Sequence, residues 1–178
     1  MSDTSMPPVL PEVATYINML QQSTGEWRWM LGTDVTPAQI SHQAYPGAHS
    51  IGAVLLHMAD SEAIWTMEVL EGGAVPAALK EELLADQTDV WNGKWPVVPS
   101  EPLAYYYEKQ DRIREHTLRV LAGLTDIDKE VTAWGNKLTI RWILGHMVSH
   151  DSQHGGQAIL LHVAQTLRPS CRNYCGCR

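Results

Sequence analysis

Apolar side chains recur at intervals of three, four and seven residues along the first third of the chain, the spacing of one face of an α-helix. One such stretch runs from Val13 and ends before Gly32. A second stretch opens at Ser50, a residue type favoured at helix N-caps, and stops at Gly72 and Gly73. These patterns predict two amphipathic helices separated by a long connection.

Two further stretches show the same periodicity in the second half of the chain. The third begins at Ser100 and ends at Gly123, and the fourth begins around Thr139 and continues past Leu161. Strand-like alternation of apolar and polar residues is not evident between them. Four amphipathic helices of this length predict an all-α fold built as a four-helix bundle.

The connections after the first and second predicted helices are long for a compact bundle, and long connections often carry function. Within the second, residues 76–87 read as a short extra helix, and Trp91 and Trp95 follow among turn residues. These two indoles could roof a pocket or simply cover a bundle edge. We expect a flexible lead-in at residues 1–8, a bundle domain at residues 9–167 and a cysteine-containing tail at residues 168–178.

Composition narrows the classes of function. The chain has 178 residues and a formal net charge of −7, which disfavours binding to nucleic-acid phosphates. No apolar run approaches the roughly 20 residues that span a bilayer, and no signal peptide is evident, so a cytoplasmic protein without a membrane partner is expected. Cys171, Cys175 and Cys177 crowd the C-terminus, where they read as reduced thiols of a tail or as a metal-capturing or redox segment.

The fourth predicted helix carries His146, His150 and His154 at intervals of four. Counting along the inward seam from Ile143 places His150 and His154 on it and His146 beside it. Two histidines at i and i+4 can reach one metal ion, but such a pair also occurs as hydrogen-bonded polar groups in a helical core. The pattern therefore leaves a metal site and a structural pair both open.

A third ligand would favour the metal site. His57 lies in the middle of the second predicted helix, where a neighbouring helix can meet it. Asp60 and His146 are candidates for orienting a ligand by hydrogen bonding, although an exposed carboxylate is an equal reading of Asp60. Glu62 suits a buried ion pair or a cap contact, and Asp151 is expected to be solvated or to support a ligand. The remaining histidines are expected to be ordinary, namely His42, His49, His116 and His162.

Two motifs give these residues a context. The segment from Ser50 to Glu62 follows S-I-G-x-x-L-x-H-x-A-x-x-E, and the segment from His146 to Gln157 follows H-x-x-x-H-x-x-x-H-x-G-Q. In these motifs the chain resembles the DinB/YfiT-like family of small helical metalloproteins. The resemblance covers roughly residues 9–167 and implies an up-and-down four-helix bundle. It also implies a divalent ion held by His57, His150 and His154.

Members of that family include thiol S-transferases and isomerases that use bacillithiol, mycothiol or glutathione. The resemblance therefore favours an enzyme that acts on a small-molecule substrate with a low-molecular-weight thiol, and it suggests a homodimer. Imidazole ligands suit zinc or nickel, with iron and manganese as alternatives. A non-catalytic metal- or ligand-binding stress-response protein and a plain helical interaction module are the competing hypotheses, and no catalytic residue is assigned.

Overall fold

The computed structural model describes residues 9–167, and within them the chain is mostly helical. The predicted lead-in at residues 1–8 and the tail with its three cysteines lie outside the described residues. Within residues 9–167 no helix is both long and apolar enough to cross a membrane. The elements in chain order are α1 (Pro11–Leu31), α2 (Pro37–Ser41), α3 (Ile51–Ala63), a π-helix (Ile64–Leu70), α4 (Ala77–Glu82), a 3-10 turn (Ala85–Gln87), α5 (Leu103–Ala122), β1 (Glu130–Ala133), β2 (Asn136–Thr139) and α6 (Ile140–Thr166).

The capping residues explain where the two histidine-bearing helices begin. Ser50 accepts a hydrogen bond from the backbone N–H of Ala53 through its Oγ, and Thr139 accepts one from the N–H of Trp142, both at 3.2 Å. Each cap satisfies a donor that the first helical turn would leave unpaired. The predicted starts of α3 and α6 are therefore confirmed.

The predicted start of α5 at Ser100 is wrong by three residues, because α5 begins at Leu103. The reason is Pro102: the residue before a proline is disfavoured in the α conformation, so Glu101 cannot continue a helix that opens at Ser100. Pro102 itself is extended, with φ −67° and ψ 161°. The short extra helix expected in residues 76–87 is present as α4 and the 3-10 turn.

A β-hairpin between α5 and α6 corrects the expectation that the chain has no strands. Strands β1 and β2 pair antiparallel and are joined by Trp134 and Gly135, both with positive φ, 48° and 79°. Two central residues with positive φ form the hairpin turn that matches the right-handed twist of the strands. Since each strand is only four residues long, its alternation is too short to stand out in the sequence.

Helix α6 is central to the packing, because it lies against both α1 and α3, and α3 in turn packs against α5. Helix α6 approaches α1 closely at Gly155, where a Cβ would lie closer than 3.0 Å to the Trp27 side chain. The indole of Trp27 is buried there and donates a hydrogen bond to Asp151. Gly155 therefore fixes the spacing between these two helices.

Replacing Gly155 with alanine is expected to destabilise the protein by about 1–3 kcal/mol, because Trp27 must move away from its hydrogen bond and its packing. The neighbouring Gly156 is the matched control, since its added methyl group meets nothing within 4 Å. Gly156→Ala should be neutral or stabilise the helix by up to about 1 kcal/mol. Urea unfolding followed by circular dichroism measures both changes, and equal stability of the two variants would contradict the role of Gly155.

Candidate metal centre

Three histidines from two helices converge on one point. His57 lies in the middle of α3, and His150 and His154 lie one turn apart on α6, which packs against α3. Their ligand atoms all lie within 4.8 Å of one another, and the Nε2 atoms of His57 and His150 are 3.3 Å apart. The structure therefore brings together the three residues that the sequence singled out.

The surroundings of these imidazoles favour their neutral form. Burial, followed by the neighbouring His154 and His49, lowers the pKa of His57 from 6.5 to about 4. Burial, followed by His154, His57 and His146, lowers the pKa of His150 to about 3. Burial also lowers the pKa of His154. At neutral pH each ring therefore keeps a nitrogen lone pair, which a metal ligand requires.

The spacing of the nitrogens fits a divalent ion. Two nitrogens that each lie about 2.0–2.1 Å from a tetrahedral ion are about 3.3–3.4 Å apart, and His57 and His150 already show 3.3 Å. Three neutral imidazoles also leave the charge of the ion intact and at least one coordination position free, as in catalytic rather than structural zinc sites. One pair therefore already has the spacing of two metal ligands, and the three residues together could hold an ion.

His146 continues the row of histidines but lies outside this cluster. Its ring stacks on Trp142, with centroids 5.1 Å apart and planes 5° from parallel, and its other neighbour is the edge of Trp65. The centroid of His146 is 5.8 Å from that of His150. His146 therefore packs among aromatic rings beside the ligand, and its role in orienting His150 stays a prediction.

Asp60 lies on α3 one turn after His57, in a partly buried position. Among the described residues its Oδ1 has no hydrogen-bond partner, and its charged neighbours are Lys80, Glu68 and Asp86. Burial, only partly offset by Lys80, raises the pKa of Asp60 to about 6. The carboxylate is therefore not simply exposed. The charged side chains nearest to it belong to the π-helix, α4 and the 3-10 turn.

We expect Asp60→Asn to stabilise the metal-free protein at pH 7.5 and to have little effect near pH 3.8. Because the pKa of Asp60 is higher in the folded state, the folded protein binds more protons between about pH 3.8 and 6. The stability from this group is thus complete below about 3.8 and is lost as the pH rises through 6. Melting temperatures of wild type and variant across this range test the sign, and a variant that is less stable at pH 7.5 would contradict it.

Trp95 and His49 cover the histidine cluster, and the sequence indicated only the first. The Trp95 ring is buried and lies edge-on to His57, with centroids 5.4 Å apart, and it contacts the His49 ring at 4.3 Å. Trp91, by contrast, is 94% exposed. Of the two predicted indoles, only Trp95 roofs the site. The sequence did not single out His49, which directly precedes Ser50, the N-cap of α3, and lies next to the site through its contact with Trp95.

Gln43 holds this roof in place through the backbone. Its Nε2 donates to the carbonyl of Ala48 at 2.7 Å and lies 3.2 Å from the carbonyls of Trp95 and Pro96. The N–H of Trp95 also donates to the carbonyl of Gly47 at 3.0 Å. The connection between α1 and α3 is thus bonded to the connection between α4 and α5 next to the histidines. No local sequence pattern predicts this contact.

A polar network lies behind the site, on the inner side of both ligand helices. Glu62 forms a two-bond ion pair with Arg114, at 2.7 and 2.9 Å, which is the buried ion pair predicted as one reading of Glu62. The reading of Asp151 as solvated is wrong: it is buried and accepts hydrogen bonds from Ser23, Thr24, Trp27 and Arg114. Although burial disfavours the charged guanidinium, Glu62 and Asp151 raise the pKa of Arg114.

A small apolar pocket of about 240 Å³ opens beside Gln157. Its lining comprises His49, Gln157, Leu160 and Leu161. Gln157 also contacts the site directly, because its Oε1 lies 2.7 Å from Nδ1 of His154. The cluster is therefore next to a space that can receive a small, largely apolar group.

The helical fold and the cluster of His57, His150 and His154 define a protein of the DinB/YfiT-like class. Within that class, the family model for mycothiol S-transferase matches residues 15–163, a range that includes all three histidines. The chain belongs to this family. Curated proteins gave no match to the chain.

Proposed function

We propose that this protein is a metal-dependent S-transferase that joins a low-molecular-weight thiol to an electrophilic small molecule. His57, His150 and His154 would hold the divalent ion. The observation that carries the proposal is the convergence of three neutral imidazoles within 4.8 Å of one another, with one pair at the spacing of tetrahedral ligands. Membership of the mycothiol S-transferase family supports the thiol as cosubstrate.

The fold that we propose for residues 9–167 is a single up-and-down four-helix bundle. Its helices would be α1, α3 with its π-helical extension, α5 and α6. The packing of α6 against α1 and α3, and of α3 against α5, supports this arrangement. A cytoplasmic location and a homodimer stay predictions of the sequence.

A divalent ion at this site would lower the pKa of a bound thiol and so supply a nucleophile at neutral pH. The chain's own groups contribute the rest. The low pKa values of His57 and His150 keep one nitrogen of each ring unprotonated at pH 7, and Trp95 shields His57 from water. Zinc and nickel are the first candidates for the ion, with iron and manganese as alternatives.

The apolar pocket beside Gln157 is the proposed position of the electrophile. Leu160 and Leu161 offer apolar surface, while His49 and Gln157 supply its polar edge. In the proposed reaction the thiol sulfur bonds to the electrophilic carbon, and the bond to the leaving group breaks with its electron pair. The thiol proton passes to solvent, so that atoms and charges balance.

The test is turnover of 1-chloro-2,4-dinitrobenzene by the zinc-loaded protein with mycothiol, bacillithiol and glutathione in parallel. We expect release of chloride with at least one thiol, and a loss of at least about 100-fold in His150→Ala, because that variant lacks one of three ligands. His116→Ala is the matched control, since His116 lies on α5 and bonds to Glu71, away from the cluster.

Turnover with none of the thiols, by a wild-type protein that binds zinc, would contradict the transferase proposal. That result would favour the competing hypothesis of a non-catalytic metal- or ligand-binding protein. A wild-type protein that binds no divalent ion would contradict the metal site itself and favour a helical interaction module.

A further inference from the structure

We propose that Gln157 determines which nitrogen of His154 is offered to the metal ion. By accepting a hydrogen bond from Nδ1–H of His154, the Gln157 side chain leaves Nε2 as the ligand atom. This inference rests on the proposed metal site and adds to it a positioning residue outside the coordination sphere.

The contact itself decides the tautomer of His154. The amide oxygen Oε1 of Gln157 lies 2.7 Å from Nδ1 of His154. A carbonyl oxygen only accepts hydrogen bonds, so Nδ1 must carry the hydrogen. A neutral imidazole has a single N–H, and Nε2 therefore keeps its lone pair. Gln157 follows His154 by three residues on α6, so the helix itself holds the two side chains on neighbouring faces.

The other two histidines meet through the same atom. Nε2 of His57 and Nε2 of His150 lie 3.3 Å apart, so both rings turn the same atom towards the cluster. An Nε2 on His154 completes a set of three equivalent donors, whereas an Nε2–H form of His154 would direct a hydrogen at the ion. Within residues 9–167, His154 is the one of the three histidines whose ring nitrogen bonds to a side-chain acceptor outside the cluster.

The contact between Gln157 and His154 is expected to raise the affinity of the site for the metal ion, as similar contacts do at other metal sites. A group that accepts the N–H of a ligating histidine orients the ring and makes its other nitrogen more basic, and loss of that group typically lowers metal affinity by about 10–100-fold. Gln157 is only partly buried, so its substitution leaves the helical core intact.

Two measurements test the inference on the full-length protein. Long-range 1H–15N NMR of the metal-free protein at pH 7.5 reports the tautomer of His154, and competition with a chromophoric chelator reports zinc affinity. The variants are Gln157→Leu, which removes the acceptor, and Gln157→Glu, which keeps an oxygen acceptor and removes the amide donor. Gln153→Leu is the matched control, because Gln153 is exposed on the same helix next to His154.

We expect Gln157→Leu to shift His154 towards the Nε2–H form and to weaken zinc binding about 10–100-fold. Gln157→Glu should keep the Nδ1–H form and an affinity within a few-fold of wild type, and Gln153→Leu should change neither. An unchanged tautomer in Gln157→Leu, or an equal loss in Gln157→Glu, would overturn the inference. Because the tautomer is read without metal, a failure of zinc binding in wild type would refute the metal site separately.

Discussion

Replacing His150 with alanine is expected to lower zinc affinity by roughly two orders of magnitude or more. Four-ligand structural zinc sites bind with about 10–16 kcal/mol, or about 2.5–4 kcal/mol per ligand, and each 1.4 kcal/mol is a factor of ten. His150 is the residue whose Nε2 already lies at ligand spacing from His57, so no other ring is placed to substitute for it among the described residues.

The measurement is the rise in melting temperature that zinc produces in protein purified without a histidine tag. An ion present at 100 times its dissociation constant stabilises the folded state by about 2.7 kcal/mol, and this gain should vanish in His150→Ala and His57→Ala. His116→Ala is the control, because His116 lies on α5 and bonds to Glu71, away from the cluster. Loss of the zinc effect in His116→Ala, with retention in His57→Ala, would refute the assignment.

Replacing Arg114 with methionine is expected to destabilise the protein by about 3–5 kcal/mol, because the carboxylates of Glu62 and Asp151 would stay buried without their shared cation. That loss is a large part of the roughly 5–15 kcal/mol that holds a typical domain folded. The methionine side chain keeps most of the aliphatic volume, so the change isolates the lost charge and hydrogen bonds.

Arg119→Met is the control for Arg114→Met, since Arg119 lies on the same helix and is 68% exposed in its pair with Glu115. Its removal should change stability by no more than about 0.5 kcal/mol. Urea unfolding at pH 7 compares the two. Similar free energies of unfolding for both variants would show that the buried network contributes no more than a surface ion pair.

The candidate pair His150 and His154 could be found in the sequence because it depends on helix periodicity. The seam count separated His150 and His154 from His146, and the stacking of His146 on Trp142 agrees with that separation. The starts of α3 and α6 could also be predicted, because the side chains of Ser50 and Thr139 cap these helices. Such features depend on neighbours within a few residues, which a sequence displays directly.

The parts that escaped prediction depend on contacts between distant segments or on very short elements. The seam count placed His150 and His154 inward and predicted a solvated Asp151. The buried side of α6 nevertheless includes Asp151 and Gly155, because α1 packs against them. His49 lies beside the site because its ring contacts Trp95. Gln43, in the same connection as His49, bonds to the backbone of Trp95. These are tertiary arrangements, and neither spacing nor propensity encodes them locally.

The Glu62–Arg114–Asp151 network has a consequence for how metal and fold depend on each other. Asp151 directly follows His150 on α6, and Glu62 follows His57 by five residues on α3, so each helix that carries a candidate ligand also carries an anchor to Arg114. These anchors do not involve the three histidines. We therefore expect the helices to keep their arrangement with or without a bound ion, unlike in zinc fingers, whose chain folds only around the metal.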